Sequence, residues 1–171
     1  MPNEPGARQP GALLLAQSAE CAVWQFRNES GDGTMTVYSV FPGVAVNYND
    51  FHMTYFDSGF VSEGELLAVD HCREGRMEYA ANENAVAYMS AGDMKLDRRL
   101  RHTGRFVFPT GHYHGLTVGL DLALARKNFR NELKDFQVES DLIVEKFALG
   151  DYPRVFHNAK MMERIFAEMY Q

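Results

Sequence analysis

The chain has 171 residues, 46% of them hydrophobic, with 12 Phe and 8 Tyr, which is ample for one packed domain with an appendage. A net charge of −6 and a pI of about 5.5 exclude nucleic-acid binding driven by bulk charge. Two cysteines, Cys21 and Cys72, exclude a disulfide scaffold and a cysteine-rich zinc motif, and they suit a reducing cytosol.

Residues 1–20 open with a Pro/Gly-rich stretch and read as a flexible arm. Their one apolar run, Ala12 to Ala16, is too short for a signal-peptide core or a membrane span, so a cytoplasmic protein with no membrane partner is expected. Strand-like runs follow from Thr34. Met35, Val37, Ser39 and Phe41 alternate with Thr36, Tyr38 and Val40 before Pro42-Gly43 breaks the run, and Val44, Val46 and Tyr48 alternate next. Met53 to Phe56 continues the pattern. Leu66 to Cys72 is a further strand, which Glu74-Gly75 is expected to turn into Arg76 to Ala80. Ala85 to Met89 precedes Gly92-Asp93, then Met94 and Leu96 alternate with Lys95 and Asp97, and Arg105 to Phe108 leads into a strand over Leu116 to Leu120. Roughly eight to ten short strands with regular turn signals predict a barrel or sandwich.

After Asp121 the period changes. Asn128 to Phe136, Val138 to Leu149 and Asn158 to Tyr170 read at helical spacing. The apolar faces of the last two carry Leu142, Ile143, Phe147, Met162, Ile165, Phe166 and Met169, the candidates for a helix–helix dimer interface. The last helix reaches Gln171 without a capping signal, which fits a piece of a longer protein or a helix that pairs with a partner subunit. The expected organisation is an arm over 1–20, a β-barrel over 21–125 and a helical dimerisation segment over 126–171.

The stretch Phe108-Pro-Thr-Gly-His-Tyr-His-Gly115 holds most of the chemistry. His112 and His114 are two apart in extended backbone and therefore share a face, the one a small barrel would turn to its lumen. With His71, and with Glu74 or Glu78 nearby, they form a candidate metal set of His71, His112 and His114. His71-Cys72-Arg73-Glu74 lacks the second histidine that a facial site draws from one strand, so ligand contact or packing is the favoured role. Cys72 and His71 point to opposite faces, which makes the thiol a buried, inert group. Arg76 and Glu78 share a face and read as a pair or as ligand contacts. Lys95, Arg98, Arg99, Arg101, His102 and Arg105 form the one basic cluster and read as a solvated hairpin. No phosphate loop, Ser-His-Asp set or helical His-Glu-x-x-His occurs.

Three segments in succession carry a family resemblance: Leu67-Ala-Val-Asp-His-Cys-Arg-Glu-Gly-Arg-Met-Glu78, Gly92-Asp-Met-Lys-Leu-Asp97, and Phe108-Pro-Thr-Gly-His-Tyr-His-Gly-Leu-Thr-Val-Gly-Leu-Asp121. With Ile165-Phe-Ala-Glu-Met-Tyr170 near the end, the resemblance in order and spacing covers about Thr34 to Tyr170. Pro109, Gly111 and His114 resemble the second half-motif of the cupin barrel, and the whole order resembles the N-terminal sensor domains of AraC-type transcriptional regulators. The resemblance implies a mainly β fold with C-terminal helices (α+β): a cupin-like double-stranded β-helix or jelly-roll barrel, then a helical dimerisation segment. It implies a small-molecule effector in the barrel, a homodimer, and DNA contact only through a C-terminal helix-turn-helix domain not present in this chain. His71, Arg76, Glu78, His112 and His114 are the candidate effector contacts. No catalytic residue and no cofactor are expected. The alternative is a metal-dependent cupin enzyme, a dioxygenase or isomerase, using His71, His112 and His114.

Overall fold

The structure is a computed structural model that describes residues 11–82, 85–132, 140–147, 149, 152–158 and 160–171. One antiparallel sheet dominates it. The strands are β1 (Ala12–Gln17), β2 (Cys21–Asn28), β3 (Gly31–Phe41), β4 (Val44–His52), β5 (Tyr55–Asn82), β6 (Ala85–Ser90), β7 (Met94–Val107), β8 (Tyr113–Asp121) and β9 (Arg154–Phe156). Their order across the sheet is β1-β2-β3-β4-β8-β5-β7-β9, with β6 paired to β5. Three short helices, α1 (Leu122–Glu132), α2 (Ser140–Lys146) and α3 (Glu163–Met169), complete the chain. The class is mainly β, with a curled sheet and C-terminal helices.

The curl follows from β5. Its first stretch pairs with the end of β7, its middle with both β7 and β8, and its last with β6. Val107 is the partner of Tyr55 on one side and of Glu78 on the other, and Phe106 likewise of Phe56 and Tyr79. Both ends of one strand therefore flank the same neighbour, and the sheet rolls up.

The sequence predicts a chain reversal at Glu74-Gly75. The structure has instead a bulge between Cys72 and Glu74, with Gly75 at φ +83° and the chain running on. A side chain at Gly75 would stand 2.2 Å from the His112 carbonyl oxygen, so the glycine lets β5 and the His112 turn approach closely.

Other expectations are corrected in detail. Ala12–Gln17, which the sequence places in the loose arm, is an edge strand against β2. The first helix begins directly after β8, because Asp121 accepts the Leu124 N–H at 3.0 Å and caps it. The expected helices over Asn128–Phe136 and Val138–Leu149 partly fall on 133–139 and 148, outside the described residues. Asn158–Tyr170 contains α3, preceded by a 3-10 turn over Lys160–Met162. β9, three residues pairing with Met94–Leu96 of β7, is too short to leave a periodic signal. Among the described residues no helix is long and apolar enough to cross a membrane.

Two apolar clusters lie on opposite faces. The enclosed face gathers Trp24, Phe26, Phe51, Met53, Phe56, Cys72, Met77, Met89, Phe106, Phe108 and Tyr113, drawn from β2, β4 to β8 and the connections after β4 and β7. Phe51, Phe108 and Tyr113 form a continuous stack, with neighbouring centroids 5.6 Å apart. The outer face sets Leu67, Met94, Leu96, Leu116 and Leu120 against Leu122, Ala125, Phe129, Leu149 and Phe166.

Candidate functional site

Strand register sorts the enclosed face into rows, because side chains paired across strands share a face. The row Phe26–Gly33–Phe51–Tyr113 lies in the aromatic cluster, and the next is Trp24–Met35–Asn49–Gly115–Cys72. The third reads Ala22–Val37–Asn47–Thr117–Asp70–Lys95 and the fourth Ser39–Ala45–Gly119–Ala68–Asp97. The enclosed face thus changes from aromatic, to polar, to small.

Lys95 is fully buried in the polar row. Its ammonium is 3.0 Å from the Asp70 carboxylate and 3.3 Å from that of Asp97, and it lies over the Tyr79 ring at 4.7 Å. Thr117 donates to Asp70 at 2.5 Å. Burial raises the Tyr79 hydroxyl pKa, with Lys95 opposing the shift and Asp97 and Asp70 adding to it. Beside Thr117, the buried carboxamide oxygen of Asn47 has no hydrogen-bond partner among the described residues. A side chain added at Gly119 would meet nothing nearer than 3.6 Å. The polar row therefore has room for a methyl group at Gly119 and holds one acceptor without a partner among the described residues. A buried ion pair with an unmet acceptor is poor material for stability and good material for recognition.

Burial of Lys95 corrects the sequence-based expectation, which groups it with a solvated basic hairpin. Arg98 and Arg105 do lie at the surface, paired with Glu65 and Asp57. The side chains of Arg99, Arg101 and His102 fall outside the described residues.

The candidate residues named from sequence lie elsewhere. His71 faces outward, opposite Asp70 and Cys72. Its ring stacks on Phe166, with centroids 4.0 Å apart, and its Nδ1 is 3.2 Å from the Tyr170 hydroxyl. Arg76 and Glu78 pair on the face opposite Met77 at 2.6 Å, with Arg76 over the Tyr88 ring. His112 and His114 are neighbours, with ring centroids 5.8 Å apart. His114 is on the outer face with Leu116, while Tyr113 and Gly115 take the enclosed one. His71 does not join them: the one group of three potential ligands among the described residues is Asp50, His52 and His114. His71, His112 and His114 therefore do not form a common metal site. Cys72 is buried, and burial, with the charge of Asp93, pushes its thiol up to about 12.

The candidate dimer residues divide. Phe166 is buried on the chain's own sheet, and Ile143, Phe147, Met162 and Met169 pack against the same cluster. Leu142 and Ile165 remain exposed, as does Met161.

No family model matches the sequence, and no curated protein matches it. Among solved structures the chain is similar to an HTH_3 family transcriptional regulator from Vibrio cholerae, at 13% identity and a TM-score of 0.40 over 50% of each chain. It is similar to the EutQ protein of Clostridium difficile, at 13% identity and a TM-score of 0.36 over 57% of this chain and 70% of that one. It is also similar to a serine-to-alanine mutant of the Bacillus subtilis oxalate decarboxylase OxdC, at 11% identity and a TM-score of 0.40, covering 85% of this chain and 39% of that one. The chain thus spans half the length of the Vibrio cholerae regulator.

Proposed function

We propose that the chain is the effector-sensing and dimerisation domain of an AraC-type transcriptional regulator, with a cupin-like barrel as the sensor. The observation that carries the sensing role is the enclosed row Asn47–Thr117–Asp70–Lys95 beside Ala45, Gly119 and Ala68. A small polar ligand with a donor for Asn47 fits it, held by the Asp70 and Asp97 carboxylates and the Lys95 ammonium.

Transmission follows from strand geometry. Asp70 and Lys95 face inward, and their chain neighbours His71 and Met94 face outward. His71 stacks on Phe166 of α3, and Met94 lies in the outer cluster with it. A ligand that shifts β5 or β7 therefore acts on the seat of α3, whose Ile165 is exposed for a partner. The ligand favours one arrangement of helix and partner, and a DNA-binding domain outside this chain reads the difference.

The metal-enzyme reading, with His71, His112 and His114 as ligands, is not favoured, because His71 is held by Phe166 and Tyr170. The test is a thermal-shift screen of small polar compounds, with sedimentation velocity on each hit. A hit at a hundred times its Kd stabilises the fold by about 2.7 kcal/mol and changes the monomer–dimer balance. A chain that stays monomeric and is stabilised by no compound contradicts the proposal.

A further inference from the structure

On the outer face, Asp50 of β4 is the cross-strand partner of His114 of β8, and His52 follows on the same side of β4. Both imidazoles turn Nε2 toward one oxygen. His52 Nε2 and His114 Nε2 are each 2.9 Å from Asp50 Oδ1, and the two nitrogens are 3.4 Å apart. Glu74, paired with His114 across β5 and β8, has Oε2 3.8 Å from His114 Nδ1.

We propose that Asp50, His52 and His114 bind one first-row divalent cation, with zinc the best match. A triangle of sides 2.9, 2.9 and 3.4 Å has a circumradius of about 1.8 Å, shorter than the roughly 2.0–2.1 Å of zinc–nitrogen and zinc–oxygen bonds. A point about 1 Å off its plane therefore lies at bonding distance from all three atoms. Two imidazole nitrogens and one carboxylate oxygen suit Zn(II), Ni(II) and Cu(II) rather than calcium or magnesium. Binding replaces the hydrogen bonds between the two Nε2 atoms and Asp50 with two nitrogen–metal bonds and one oxygen–metal bond; a neutral imidazole keeps its one proton, now on Nδ1, and an imidazolium releases one proton to solvent. Glu74 stands behind His114 on the Nδ1 side, where a carboxylate raises the basicity of a ligating imidazole.

Asp50 and His52 are more than half exposed, so the remaining coordination positions face solvent. The site lies across the sheet from the Lys95 row and is independent of any ligand there. It is assembled by strand pairing alone: β4 supplies two ligands and β8 the third, in a register that the Phe51–Tyr113 pair anchors from the enclosed face.

The test is calorimetric titration of the chelator-treated chain with zinc chloride, repeated with cobalt chloride and read by visible absorption. One equivalent of zinc should bind, and cobalt should give the d–d band of a low-coordinate site. His52→Ala and His114→Ala should each weaken binding by about tenfold or more, with unchanged far-UV circular dichroism. His157→Ala, far along the chain and paired with Asp93, should bind as the parent does. Absence of a one-to-one event overturns the proposal, and so does zinc binding that survives both His52→Ala and His114→Ala.

Discussion

His71 lies flat against Phe166, with ring centroids 4.0 Å apart and planes 15° from parallel. Burial depresses the imidazole pKa below its ordinary 6.5, and the Asp93 carboxylate offsets only part of the shift. The folded state therefore prefers neutral His71, while the unfolded chain takes up a proton near pH 6.5. The stabilisation is complete above that pH and is lost as pH falls through the lower folded value. An NMR titration should place the His71 midpoint below 6.5, and Phe166→Ala should move it back toward that value. The same substitution should cost about 3–5 kcal/mol of stability, as expected for a buried phenylalanine.

The polar row makes two substitutions diverge. Lys95→Met leaves Asp70 and Asp97 buried without their cation and should destabilise by about 3–5 kcal/mol. Asn47→Leu removes a carboxamide whose oxygen has no partner among the described residues, so its effect on the ligand-free chain should stay within about 1 kcal/mol or favour folding. Denaturant unfolding of the two variants checks the contrast. Equal losses would mean that Asn47 supports the fold as Lys95 does.

Gly75 and Gly92 both adopt positive φ, +83° and +85°. Alanine at Gly92 meets open space and should cost only backbone strain, about 1–2 kcal/mol. Alanine at Gly75 also collides with the His112 carbonyl and should cost clearly more. Thermal unfolding of the pair gives the comparison, and a larger loss at Gly92 would contradict the close approach of β5 to the His112 turn.

The exposed residues of the helices carry the dimer proposal. Ile165→Asp should abolish a dimer in sedimentation without lowering the melting temperature, since Ile165 is 46% exposed. Phe166→Ala, one residue on, should lower the melting temperature because its side chain is core.

The strands are legible in the sequence because their alternation is strong, and the amphipathic helix within Asn158–Tyr170 shows in its period. What alternation leaves open is which face is enclosed. The two-residue spacing of His112 and His114 suggests a lumen-facing pair, yet the inward residue is Tyr113 between them, anchored by Phe51 and Phe108. One step of parity moves every side chain to the other face. Lys95 misleads for a related reason. Met94-Lys95-Leu96-Asp97 shows one apolar and one polar face, and the polar face normally meets water. Here the apolar face is covered by the helices, so the sheet closes over the polar one. The available signal is polar residues within several strands, Asn47, Asp70, Lys95 and Thr117, which only register brings into one row. Asp50 and His52 give no pattern of their own, because their partner His114 lies 62 residues beyond His52.

The most direct measurement is isothermal titration of a stabilising compound into the wild-type chain and into Asn47→Leu. One site per chain is expected in the wild type, with an affinity at least about tenfold weaker in the variant, as loss of a buried hydrogen bond to ligand requires. Equal affinity for both chains would place the ligand away from the enclosed polar row and contradict the sensing role.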